Sequence, residues 1–208
     1  MSILDQALVE FDRALRTLAA PPREHRPNPG REHPEASLSP SQREHIARLM
    51  RVNHTGEVCA QALYQGQSLT ARMAANRLAL RTAAQEEEDH LAWCQTRIQE
   101  LGGRTSLLNP LWYTASLALG VLAGVAGEHW NLAFLEETER QVEGHLAAHL
   151  AQIPEADQRT RAVVEQMKTD EMGHAELARR LGAAQFPAPV KAAMKWSSRL
   201  MTRTVYWV

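Results

Sequence analysis

Two short strings, Glu87-Glu88-Asp89-His90 and Glu171-Met172-Gly173-His174, share the pattern Glu-x-x-His. A helix turns about 100° per residue, so Glu87 and His90 project from one face a turn apart, as do Glu171 and His174. Each string has a further acid just before its Glu, Glu86 and Asp170, and a Glu about one helix upstream, Glu57 and Glu139. The gaps are 30 residues (57 to 87) and 32 residues (139 to 171). One Glu-x-x-His would mean little: a chain this rich in Glu holds about one by accident, and an exposed i, i+3 pair is ordinary. Two copies with matched upstream glutamates form the pattern by which a four-helix bundle holds two metal ions in its core.

Imidazole and carboxylate together suit iron or manganese, whereas a calcium site would use oxygens alone. Four carboxylates around two divalent ions bring the site near neutrality, which makes burial tolerable. One imidazole and shared carboxylates per ion also leave positions open, which points to oxygen activation. The expected arrangement places Glu57 and His90 on one ion and Glu139 and His174 on the other, with Glu87 and Glu171 bridging. Two ions per chain are expected, iron first and manganese second. Glu136 and Glu143 lie a turn before and after Glu139 on a similar face. The duplicated spacing favours Glu139, although Glu143 would also serve physically. Tyr64, seven residues after Glu57, returns to nearly the same face. It is the catalytic candidate, as a hydrogen-bond donor or redox-active phenol, with a plain core tyrosine as the alternative. Trp93 and Cys94 are read as packing residues, and His54, His145 and His149 as candidates to support the ligands.

The fold expected is all-α: a ferritin-like four-helix bundle with a long crossover and additional amphipathic N- and C-terminal helices. Ser41-Gln42-Arg43-Glu44 reads as a capping box opening a long helix to about residue 71. A second helix runs from about 75 to 101 and stops at Gly102-Gly103. A third, its last stretch beginning near 128, ends near Ile153-Pro154, and a fourth runs from about 155 to 181 before Gly182. Together these make a bundle domain over 41–182. Residues 1–20 hold an amphipathic helix with Ile3, Leu4, Ala7, Leu8, Phe11, Leu15 and Leu18 on one stripe. Residues 21–40, rich in Pro, Arg, Glu and His, lack periodicity and read as a mobile linker. Pro187 and Pro189 introduce a basic amphipathic helix within 183–208.

Residues 105–127 contain no charged side chain. By length that run is a candidate to cross a membrane, and GVLAG (Gly120 to Gly124) fits a small-xxx-small packing face. A single crossing would put Glu57 and Glu87 on one side of the bilayer and Glu139 and Glu171 on the other. The metal site and the span exclude each other, so 105–127 is read as a crossover and apolar helix lying in the membrane interface, with an ordinary buried crossover free of lipid contact as the alternative.

Composition removes other classes. The formal net charge is −1, and nothing suggests a nucleic-acid surface. Two cysteines, Cys59 and Cys94, are too few for a four-cysteine zinc or iron–sulfur set and fit a reducing compartment. No dinucleotide fingerprint or Walker A loop occurs, because GxxxGxxG here follows no strand. The first residues have no basic run followed by an apolar one, and Asp5, Glu10 and Asp12 argue against a transit peptide.

RVNHTGE (Arg51 to Glu57), YQGQ (Tyr64 to Gln67), QEEEDHL (Gln85 to Leu91) and DEMGH (Asp170 to His174) resemble the motifs of the di-iron 5-demethoxyubiquinone hydroxylases of ubiquinone biosynthesis. The likeness covers about residues 41–182 and, through Met201-Thr202-Arg203-Thr204, the tail. The apolar run before the third ligand helix and the pairing of Glu139 with His145 are similar too. The N-terminal helix and Pro-rich segment look like those of bacterial members, and Asn53 departs from the Asp common at that place. The resemblance implies that Glu57, Glu87, His90, Glu139, Glu171 and His174 bind iron. It implies oxygen-dependent hydroxylation of a polyprenyl methoxy-methyl-benzoquinol ring by a peripheral protein on the cytoplasmic face of the inner membrane. Molecular oxygen, the quinol and membrane lipid are the partners implied. A second copy of the chain or a lipid-presenting protein are candidate partners. The competing functions are a ferritin-like iron store or peroxide scavenger, which would not need an uncharged 105–127, and a non-catalytic membrane-associated helical scaffold.

Overall fold

The structure, a computed structural model, describes residues 2–208 apart from the Ile3 side chain. That side chain, placed on the N-terminal stripe by its spacing, lies outside the described residues. Among the described residues there are seven α-helices and one 3-10 turn, with no strand. Helices α2 (Pro40–Thr70) and α3 (Ala74–Glu100) form one hairpin, and α5 (Glu128–Leu150) and α6 (Gln158–Arg180) form a second. Helix α4 (Asn109–Val125) runs between the hairpins, and α1 (Ile3–Ala19) and α7 (Ala188–Trp207) flank them. The expected all-α, ferritin-like four-helix bundle is the fold.

Local chemistry explains where the helices begin and end. Helix α2 is capped by Ser39, whose hydroxyl accepts from the Gln42 amide, while the Gln42 side chain accepts from the Ser39 amide. The box anticipated at Ser41 is displaced because Pro40, which has no N–H to satisfy, suits the first helical position. Helix α3 ends before Gly102, whose φ of 74° lets Gly103 N donate to Ile98 O. The third helix anticipated from the sequence is two separate helices. Gly127, at φ 113°, breaks the chain between α4 and α5.

Two apolar clusters span all four helices of the bundle. One joins Ile46, Met50, Trp93, Ile98, Leu146, Val164 and Met167; the other joins Tyr64, Leu80, Leu135 and Ala178. Each contains residues from α2, α3, α5 and α6. Along each of these four helices, the candidate ligands lie between a residue of the first cluster and one of the second. Rigid packing on both sides therefore holds the polar layer in place.

Helix α4 packs tightly on α2. A Cβ on Gly120 would lie 2.4 Å from Leu63 O, and one on Gly66 would lie 2.5 Å from Leu117 O. The small-residue face thus meets α2 backbone to backbone. Among the described residues no helix is long and apolar enough to cross a membrane.

Residues 21–40 are not a loose linker. The buried Asn28 side chain accepts from Gly30 N and opens the 3-10 turn Pro29–Glu32. Arg159 Nε donates to His33 O, and Glu35 pairs with the buried Arg97 guanidinium at 2.7 Å. The segment has no periodicity because it forms nothing longer than that one 3-10 turn, yet Asn28, Glu35 and the His33 carbonyl are paired.

Candidate metal centre

Glu57 comes from α2, Glu87 and His90 from α3, Glu139 from α5, and Glu171 and His174 from α6. All six side chains are buried, His174 the least, at 6% exposure. They fall into two overlapping groups. Glu57, Glu87, His90 and Glu171 present ligand atoms within 4.8 Å of one another, as do Glu87, Glu139, Glu171 and His174. Glu87 and Glu171 belong to both groups. His90 Nδ1 lies 2.8 Å from Glu87 and 3.5 Å from Glu171. His174 Nδ1 lies 3.2 Å from Glu87 and 3.5 Å from Glu171.

The donors suit divalent cations. Glu87 Oε1, Glu171 Oε2 and His174 Nδ1 are buried, point into the cluster and have no hydrogen-bond partner. Buried acceptors without donors are costly, and a cation removes that cost. Burial, then the charges of Glu87 and Glu171, pushes the Glu57 carboxyl well above its ordinary range. Burial, then the Glu171 charge, does the same to Glu139. Burial alone would lower His174, but the Glu171 and Glu87 carboxylates beside it push it up to about 12. Carboxylate charge exceeds imidazole charge here, and each of these shifts is a demand for more positive charge. The cluster is compatible with a metal site.

The outer nitrogens are also paired. His90 Nε2 meets Asp170 at 2.9 Å, and His174 Nε2 meets Glu86 at 2.8 Å. The acid before each candidate ligand glutamate thus serves the histidine of the opposite helix. A carboxylate on the far nitrogen fixes the tautomer in which Nδ1 offers its lone pair inward.

Comparison with known proteins identifies the family. The family model described as "Ubiquinone biosynthesis protein COQ7" matches residues 44–205. The chain is 61% identical to the 3-demethoxyubiquinol 3-hydroxylase of Chromobacterium violaceum over 206 residues, 99% of this chain and 100% of that one. It is 60% identical to proteins of the same name from Dechloromonas aromatica (97% and 98% of the two chains) and Nitrosomonas europaea (99% of each). The chain belongs to the COQ7 family.

Within this COQ7 chain the other candidates sort by contact. Glu139 is buried and accepts from the Tyr64 hydroxyl, whereas Glu143 is half-buried and pairs with Lys168 at 3.4 Å, and Glu136 pairs with Arg140. Tyr64 also lines a cavity of about 590 Å³, with Thr17, Gln61, Leu80, Ala84 and Leu91 among its other walls. Trp93 and Cys94 pack in the core, with Cys94 Sγ 3.7 Å from Met167 Sδ. The rings of His145 and His149 stand 3.9 Å apart. Neither they nor His54 make a hydrogen bond or ion pair with the six residues, so the structure does not bring them to the site. Glu86 and Asp170 stood out in the sequence without a role. Arg26 did not stand out, and no spacing could have found it: its guanidinium pairs with Asp89 and with Asp170, each at 2.9 Å.

Proposed function

We infer that the protein hydroxylates a demethoxyubiquinol ring in ubiquinone biosynthesis, using two irons. Glu57 and His90 would hold one ion, Glu139 and His174 the other, and Glu87 and Glu171 both. The observation that carries the metal assignment is the overlap of two buried Glu/His groups through Glu87 and Glu171. The shared name of the relatives supports the substrate class. When bound, two ferrous ions supply the electrons that reduce oxygen. One oxygen atom enters the ring and the other leaves as water, with two electrons and two protons from the quinol itself or from a small external reductant.

The chain's own residues position and exclude. The apolar clusters on either side of the ligand layer keep bulk water out. The cavity between α1, α2 and α3 would receive the ring beside Tyr64, whose hydroxyl holds its proton toward Glu139. Leu4, Leu8 and Phe11 on α1, Leu111, Leu119 and Leu122 on α4, and Trp196 and Trp207 on α7 are exposed. Helices α1 and α4 pack on one shared cluster, and α4 approaches the end of α7 where Leu107 N donates to Val208 O. This apolar surface would rest on the cytoplasmic face of the inner membrane while the prenyl tail stays in lipid. Lys195, Arg199 and Arg203 on α7 would favour anionic headgroups, whereas Lys191 pairs with Glu137 at 2.9 Å. Serine at Leu111, Trp112 and Leu119 should release the protein from vesicles without emptying the metal site; unchanged partitioning would reject the surface.

The deciding experiment loads the protein with ferrous iron and supplies a short-chain demethoxyubiquinol, a reductant and labelled oxygen gas. One labelled atom should appear in the ring by mass spectrometry. An iron-loaded sample that incorporates none would return the protein to the iron-storage class.

A further inference from the structure

The segment between α1 and α2 reaches the outer wall of the centre. Asp89, 2% exposed, accepts from the backbone amides of His25 and Arg26 and from Arg26 Nε. The same guanidinium extends its Nη2 to Asp170 Oδ2 at 2.9 Å, the oxygen that also meets His90 Nε2. Asp170 Oδ1 accepts from Gln166. Both oxygens of Asp170 are therefore held, and the carboxylate has no freedom to turn away from His90. Arg26 also stacks over Trp93, 5.1 Å from the ring, which fixes the plane of its fork.

We propose that Arg26 is a positioning residue for the metal centre: by bridging Asp89 and Asp170 it fixes the carboxylate that orients His90, so that chain ahead of the bundle sets one of the two ion sites. The inference rests on the metal-binding role proposed above. Arg26 is not a stray surface contact, because the backbone carrying it is anchored on both sides. Before it, the His25 amide is bound to Asp89; after it, Gly30 is wedged against Arg159 and Val163 of α6, and Glu35 is bound to Arg97 of α3. The family model begins at residue 44, beyond this segment. At the other ion the corresponding acid, Glu86, is 40% exposed along its side chain and has no Arg or Lys partner among the described residues.

The test uses the full chain loaded anaerobically with ferrous iron, as wild type, Arg26→Gln, Arg26→Lys and Arg31→Gln. Arg31 lies on the same segment but pairs with Glu24 at the surface. Iron release to a chelator and the near-infrared circular dichroism of the ferrous ions are followed together. In Arg26→Gln one ion should be held about tenfold more weakly, with its ligand-field bands displaced and the other ion's unchanged. Arg26→Lys should recover part of that loss, since it restores the charge without the fork, and Arg31→Gln should match wild type. Identical release and spectra for Arg26→Gln and wild type would overturn the inference while leaving the metal assignment intact. Equal weakening of both ions, with a lower melting temperature of the metal-free protein, would also overturn it, because that is what a purely structural contact does. The same holds if Arg31→Gln reproduces Arg26→Gln. Wild-type protein that holds no iron would overturn the metal assignment itself, and the inference with it.

Discussion

His90 and His174 occupy equivalent places on α3 and α6, and each turns its outer nitrogen to the acid preceding the other helix's candidate ligand glutamate. Around His90 that acid is mostly buried, held by Arg26 and Gln166, and covered by the 21–40 segment. Around His174 the acid is Glu86, half-exposed and without a cationic partner among the described residues. The Tyr64 hydroxyl meets Glu139 on this second side. Duplication in the sequence extends to the ligands and the acids before them, and no further. Two ions with matching ligands would therefore sit in unequal surroundings, and surroundings tune affinity as strongly as ligand type does.

The largest effect should come from the residues that both halves share. Glu87→Ala is expected to reduce bound iron to a trace by metal analysis, since one carboxylate faces both histidines. Retention of either ion at full occupancy would show that the halves are independent. Next comes the pair Asp170→Asn and Glu86→Gln. The first should weaken one ion by about 10–100-fold and the second by about two- to threefold, because water already competes for the exposed Glu86. Equal losses, read by chelator competition, would remove the asymmetry. Tyr64→Phe should destabilise the metal-free protein by about 1–3 kcal/mol, as Glu139 loses a buried donor. A melting temperature equal to wild type would make Tyr64 a simple core residue. The smallest effect concerns the anchor of the 21–40 segment. Hydrogen bonds from Arg97 hold the Glu35 carboxyl below its ordinary 4.5. A carboxyl lowered on folding contributes fully above 4.5, and that contribution fades as pH falls through the lowered value. Proteolytic nicking of residues 21–37 should thus quicken under acid, and Glu35→Gln should show the quick rate at neutral pH. Acid-insensitive nicking in wild type would mean that the anchor does not hold the segment.

What the sequence made legible follows from periodicity. Helical spacing alone put Glu87 with His90 and Glu171 with His174, and the duplicated gap preferred Glu139 to Glu143. The structure brings Glu139 into the cluster and leaves Glu143 with Lys168. Periodicity also marked the apolar stripe of α1, but it does not say what covers a stripe. Ala14 and Leu18 pack on the bundle, while Leu4, Leu8, Phe11 and Leu15 stay exposed. Likewise the glycines of α4 announced a close helix contact without naming α2 as the partner. The 21–40 segment was illegible for a different reason. Its order comes from pairing irregular backbone with Asp89, Arg97 and Arg159, more than 50 residues away along the chain. No local pattern encodes such contacts.

The two-hairpin arrangement has a consequence for the lifetime of the chain. Each hairpin brings three of the six donors: Glu57, Glu87 and His90 from one, Glu139, Glu171 and His174 from the other. Docking them brings four carboxylates into one dry layer, so the docked state without an ion carries electrostatic repulsion. An ion that binds only the docked state stabilises it by mass action, about 2.7 kcal/mol at a hundred times its dissociation constant. A newly made chain short of iron would spend longer with its hairpins apart and its apolar layers open to proteases. Iron supply would then govern how much of the protein persists, as well as how much of it works.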